Sequence, residues 1–158
     1  MVNLKWCFNV KSGLEIVEPN GNMAISYLEM AKESLRMIKN SGESRIWTAS
    51  TCYYTIYYSL YSVLMKIGIK CEIHSCSIKF MKEFLPNLYN KEDVKLIEDS
   101  FELRNSLQYY PGSLVDDKKL NSVKMKAVDF FAKTKEIHAS LGEKEINEIR
   151  RMVEERRG

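Results

Sequence analysis

From Ile46 to Met65 the chain runs through 20 consecutive residues without a charged side chain. That stretch limits the possible folds more than any other feature. Its aliphatic residues, Ile46, Ala49, Ile56, Leu60, Val63 and Leu64, with Ile67 just beyond, fall at helical spacing. Five of the nine tyrosines, Tyr53, Tyr54, Tyr57, Tyr58 and Tyr61, crowd into it. A helix that is apolar or aromatic on every side must be covered on every side. The length suits a membrane span, since about 20 apolar residues cross a bilayer. The composition does not, because 11 of the 20 residues are Tyr, Ser or Thr, and each hydroxyl would need a partner in hydrocarbon. The stretch therefore reads as the central helix of a bundle that folds in water.

Breaks in the pattern divide the rest of the chain. Leu4, Trp6, Phe8 and Val10 alternate with polar residues, which predicts a short extended N-terminal arm over residues 1–18. Pro19-Asn20-Gly21-Asn22 forms a turn that caps a helix. Ala24, Leu28, Ala31, Leu35 and Ile38 then mark one helical face. A short helix is predicted from about Ser75 to Leu85. Another starts near Asn90, with Glu92 and Asp93 where carboxylates suit the helix dipole, and ends before Pro111-Gly112. A further one carries Leu120, Val123, Ala127, Phe130, Thr134, Ile137 and Leu141. These define an all-α, up-and-down bundle of about five helices over residues 19–141. Residues 142–158 form a charged helix or tail, whose acids and bases cancel around Ile146, Ile149, Met152 and Val153. Strand is expected only before Pro19.

Composition excludes several classes of function. A net charge of +3 on 158 residues is too small to argue for nucleic acid by itself. Cys7, Cys52, Cys71 and Cys76 show no disulfide framework in their spacing. No apolar leader opens the sequence, so a cytoplasmic location is the expectation. Cys71, His74 and Cys76 supply at most three metal ligands, with no second cluster to complete a tetrahedron, so His74 reads as structural and no metal or cofactor is expected.

Arg104 is the most informative single residue. It continues the apolar stripe of Val94, Ile97 and Phe101, where a guanidinium is costly unless paired or reaching a cleft. It is either half of a buried ion pair or a phosphate ligand, for which its planar fork is suited. Tyr54, Tyr58 and Tyr61 share one face of the central helix. That is the face most suited to a partner helix if the monomer leaves one uncovered.

Three segments together, YYTIYYSLYSVLMKIGIK, Ile73-His74-Ser75-Cys76-Ser77-Ile78, and Leu103-Arg104-Asn105 through Tyr109-Tyr110, resemble the HEPN family, most closely an archaeal and bacterial branch of it. The resemblance spans roughly Pro19 to Leu141. It implies a helical bundle built on two long antiparallel helices. It also implies a homodimer with the Arg motifs of both subunits facing a shared cleft. Many members are metal-independent endoribonucleases, often toxins paired with a nucleotidyltransferase-like antitoxin. Their motif is Arg, a polar residue, and His after four to six intervening positions. Arg104 and Asn105 match its beginning, and Tyr109 stands where His is expected. Histidine titrates near 6.5 and tyrosine near 10, so the exchange removes the group that moves protons at neutral pH. The resemblance thus implies binding of RNA or a nucleotide through Arg104, Asn105 and Tyr109, with cleavage weak or lost. The competing expectation is a non-enzymatic interaction module for a nucleotidyltransferase-like protein. Whether the chain is an enzyme stays open at this level.

Overall fold

The computed structural model describes residues 2–158. It is a helical bundle in the order α1 (Leu4–Asn9), β1 (Glu15–Ile16), α2 (Gly21–Asn40), α3 (Arg45–Ile67), β2 (Ile69–Lys70), α4 (His74–Phe84), α5 (Lys91–Tyr109), α6 (Asp117–Ser140) and α7 (Glu143–Arg157). Short polar residues start the helices at the expected places. The side chains of Asn20, Ser44 and Asp116 accept from the backbone N–H groups of Met23, Trp47 and Lys118. Asn90 and Asp93 form a reciprocal capping box that fixes the start of α5.

The central helix is α3. Sixteen of its 23 residues are buried, so its hydroxyls must find partners inside the protein. Thr55 donates to the Thr51 carbonyl at 2.7 Å and Ser59 to the Thr55 carbonyl at 2.6 Å. The Tyr61 hydroxyl accepts from the Cys71 N–H at 3.1 Å, and Tyr57 shares a 3.1 Å bond with Ser77. Helix α2 returns along α3: the Asn20 N–H bonds the Met65 carbonyl at 2.9 Å, and Tyr27 meets Tyr61 edge-on at 4.6 Å. α5 and α6 cover other sides of α3. No helix among the described residues is long and apolar enough to cross a membrane.

Four expectations need correction. The N-terminal arm is not extended: Leu4–Asn9 is a helix capped by Asn3, with Cys7 at its buried contact. The bundle has seven helices among the described residues rather than about five, because α1 and α7 are additional elements. Strand is not confined to residues before Pro19, since β1 pairs antiparallel with Ile69–Lys70. Finally, Cys7 and Cys76 are disulfide-bonded across a separation of 69 residues, tying α1 to the start of α4. Such bonds persist in oxidising compartments and inside hyperthermophiles and are rare in other cytosols.

The charged tail is a docked helix. Ile149 and Val153 are buried, and Arg150 donates to the carbonyls of Val17 at 2.8 Å and Ile67 at 2.9 Å. Gly68 ends α3 with φ of 90°, a left-handed conformation that favours glycine, and an added Cβ would meet the Val17 carbonyl oxygen at 2.5 Å.

Candidate functional site

Arg104 projects from the last third of α5 into a group of aromatic rings. Val94, Ile97 and Leu103 pack into the core and carry Arg104 inward with them, so the residue is only 9% exposed. Its Nη1 donates to the Tyr54 hydroxyl at 3.0 Å, and its Nη2 to Asn105 Oδ1 at 3.0 Å. The guanidinium carbon lies 5.0 Å from the Tyr53 ring centroid, 5.6 Å from Tyr54, 5.9 Å from Phe101 and 5.9 Å from Tyr109. Its Nε is buried with no hydrogen-bond partner. Among the described residues Arg104 takes part in no ion pair. The buried-ion-pair reading of this residue is therefore not what the fold contains. A buried cation here has hydroxyl, amide and aromatic neighbours but no counter-charge.

The other two residues singled out from the motif lie beside it. Asn105 is half-buried and already accepts from Arg104. Tyr109, the last residue of α5, is 59% exposed, with its ring beside the guanidinium.

Sequence reasoning missed His74 as a neighbour of this group. It is the first residue of α4, thirty positions before Arg104. Its Nδ1 is 2.7 Å from the Tyr53 hydroxyl, and its ring stacks on Tyr57 at 4.0 Å. Burial, and after it the charge of Arg104, pull its pKa down to about 4, so the imidazole is neutral near pH 7. Burial drives the Tyr53 hydroxyl far above its ordinary range and keeps its proton. The Tyr53 hydroxyl and Nδ1 share this hydrogen bond, and the ring tautomer decides which of them donates. The Ile73-His74 segment was visible in the sequence, but no spacing rule connects it to α5.

Cys71, His74 and Cys76 do not assemble as a metal set, because Cys76 is bonded to Cys7 and His74 is turned to Tyr53. Burial pushes the Cys71 thiol above its ordinary range and that of Cys52 up to about 12, so neither is an activated thiolate. The second histidine, His138, lies in α6 and bonds Ser62 at 2.8 Å inside the bundle.

The tyrosine face is partly covered. Tyr27 covers Tyr61, whereas Tyr54 and Tyr58, stacked at 5.3 Å, are half-buried. Those two rings line a groove of about 300 Å³ between α2 and α3, together with Met30, Met37 and Trp47. Trp47 is 65% exposed at its rim. Tyr54 thus joins the groove on one side to Arg104 on the other. Compared with known proteins, the chain matches no family model, and no curated protein sequence matches it either.

Proposed function

We propose that the chain is a HEPN-like protein that binds RNA or a nucleotide through Arg104, Asn105 and Tyr109, with metal-independent cleavage weak or lost. The observation that carries this reading is the unpaired, buried guanidinium of Arg104. Burying a cation is costly, and the usual remedy is a carboxylate. Here a vacant Nε and the absence of any ion pair favour an anion from outside, for which the planar guanidinium is suited. Tyr109 supplies an exposed ring and a hydroxyl, suited to stacking on a base or bonding a phosphate oxygen. Neutral His74 adds no repulsion to a cationic pocket and gains basicity once an anion sits beside it.

The proposal includes a homodimer joined across the Trp47, Met30 and Met37 face, which would bring two copies of Arg104 towards one groove. The proposal also takes the chain as the toxin-side member of a pair with a nucleotidyltransferase-like antitoxin, as in many members of the family it resembles. The second reading, a non-enzymatic module for such a partner, draws on that same exposed face.

The test is cleavage of a fluorophore- and quencher-labelled single-stranded RNA in EDTA. The wild type is expected to bind without appreciable cleavage. Tyr109→His should gain activity, and adding Arg104→Ala should remove it. General acid–base groups typically contribute about 10²–10⁴ in rate, so the gain is easily measured. Strong wild-type cleavage that survives Tyr109→Phe would refute the account of the missing histidine. If His74→Gln then abolishes that cleavage, the proton-transfer group comes from α4 instead.

A further inference from the structure

A second groove, of about 730 Å³, runs between the C-terminal half of α2 and the first half of α6. Its apolar lining is Leu35, Ile38, Met125 and Val128, of which Ile38 is buried, Leu35 half-buried and the other two exposed. Met125 and Val128 stand off the inward stripe of α6, which is Leu120, Val123, Ala127 and Phe130, so the monomer does not need them in its core. They are 74% and 50% exposed. The rim is basic: Arg36 and Lys39 on α2 face Lys124 on α6, and no carboxylate lines the groove. Elsewhere lysines on α4 and α6 sit in ion pairs, Lys79 with Glu83, Lys119 with Asp99 and Lys133 with Asp93. Among the described residues the three rim cations have no such partner. In a chain whose net charge is only +3, that is a concentrated positive field beside an apolar trough.

We propose that this groove docks one amphipathic helix of a partner protein, whose apolar stripe is flanked by Asp and Glu. The lining positions on α6 run from Asn121 to Val128, about two helical turns, which matches anchors at i, i+3 or i+4, and i+7 of an incoming helix. The trough between two helices receives a third by ridge-into-groove packing. Charge complementarity decides the flanks: a basic rim attracts carboxylates and repels a basic helix. RNA fits less well, because no aromatic ring lines the groove to stack a base. A bilayer surface would meet the same pairing of basic and apolar residues, and is separated from a helix by the vesicle outcome of the test. On a second copy of this chain the acidic face of α5 at Glu98, Asp99 and Glu102 carries an apolar stripe already buried in its own core, which leaves, among the described residues, the α2 face of Ile25 and Met30 with Glu29 and Glu33; self-association that Val128→Glu abolishes would therefore also overturn the proposal. The inference is independent of the Arg104 site, which no residue of this groove touches.

The experiment is a selection from a displayed library of single-helix peptides, with a fixed Leu stripe and randomised flanking positions, against the full chain. The expected result is enrichment of Asp and Glu at the flanks. The consensus peptide should shift the methyl resonance of Met125 and leave those of Met30 and Met37 in place. Lys124→Glu should weaken it at least about tenfold, the scale of one lost charge pair. Val128→Glu should abolish binding, while melting temperatures stay unchanged because both residues are exposed. No enrichment, basic flanks, shifts at Met30 and Met37, or indifference to both substitutions would overturn the proposal. So would tighter binding of single-stranded RNA or of phosphatidylserine vesicles that Lys124→Glu removes. Arg104→Met should leave peptide binding intact, which separates failure of the two proposals.

Discussion

Arg104→Met removes the guanidinium while keeping an unbranched stem among the same rings. In the wild type, desolvating the cation costs several kcal/mol, and the vacant Nε adds about 1–3 kcal/mol. Against this stand two hydrogen bonds from a charged donor, about 1.5–3 kcal/mol each, and ring contacts of about 0.5–1 kcal/mol. The terms nearly cancel. Methionine also regains contacts between its sulfur and the rings. The expected change is within about 1 kcal/mol, or about 2–4 °C in melting temperature for a chain of this size. Breaking a buried ion pair would instead cost about 3–5 kcal/mol. Calorimetric melts with and without a short oligoribonucleotide supply the second half of the test. At a hundred times the wild-type Kd the ligand should stabilise the wild type by about 2.7 kcal/mol, and Arg104→Met, whose affinity is about 10- to 100-fold weaker, by only about 0.4–1.4 kcal/mol. A loss of 3 kcal/mol or more in Arg104→Met, with a wild type indifferent to the oligonucleotide, would show that the guanidinium is structural and refute the reasoning.

Three further outcomes follow from other parts of the molecule. The unfolded chain protonates His74 near its ordinary pKa of 6.5 and the folded chain only at about 4, so stability should fall as pH drops through that window and stay flat above it. Because the ring is partly exposed, about 1–2 kcal/mol of this is expected, read as the difference between wild type and His74→Gln in denaturant melts at pH 7 and pH 4.5; equal pH profiles would contradict it. Reducing the Cys7–Cys76 bond, which closes a long loop, should cost about 2–4 kcal/mol, measured by melts with and without reductant and absent in Cys7→Ser. Trp47→Glu should convert a micromolar dimer to monomer in light scattering, and a wild type that is monomeric throughout would remove the dimer from the account.

The uncharged run at Ile46–Met65 announced α3 because nothing but burial accommodates it, and Asn90 with Asp93 announced α5 through local capping chemistry. The alternation of Leu4, Trp6, Phe8 and Val10 misled for an equally local reason. A helix of six residues is too short to display its own period, and its placement rests on the Asn3 cap and on Cys7 meeting Cys76. The site divides the same way. Arg104 stood out because a cation interrupts an apolar stripe on one helix. That it lacks a carboxylate and bonds Tyr54 instead depends on how α5 lies against α3. His74 joins the group only because α4 begins against the Tyr53 and Tyr57 side of α3.

The central claim, that Arg104 receives a phosphate, is tested most directly by fluorescence anisotropy of a labelled single-stranded RNA titrated with wild type and with Arg104→Met at two salt concentrations. A charge-assisted contact of about 1.5–3 kcal/mol predicts roughly a 10- to 100-fold weakening. Loss of one phosphate contact also predicts a salt slope shallower by about 0.7 on a single strand. Equal affinity and equal salt dependence of the two proteins would contradict the claim.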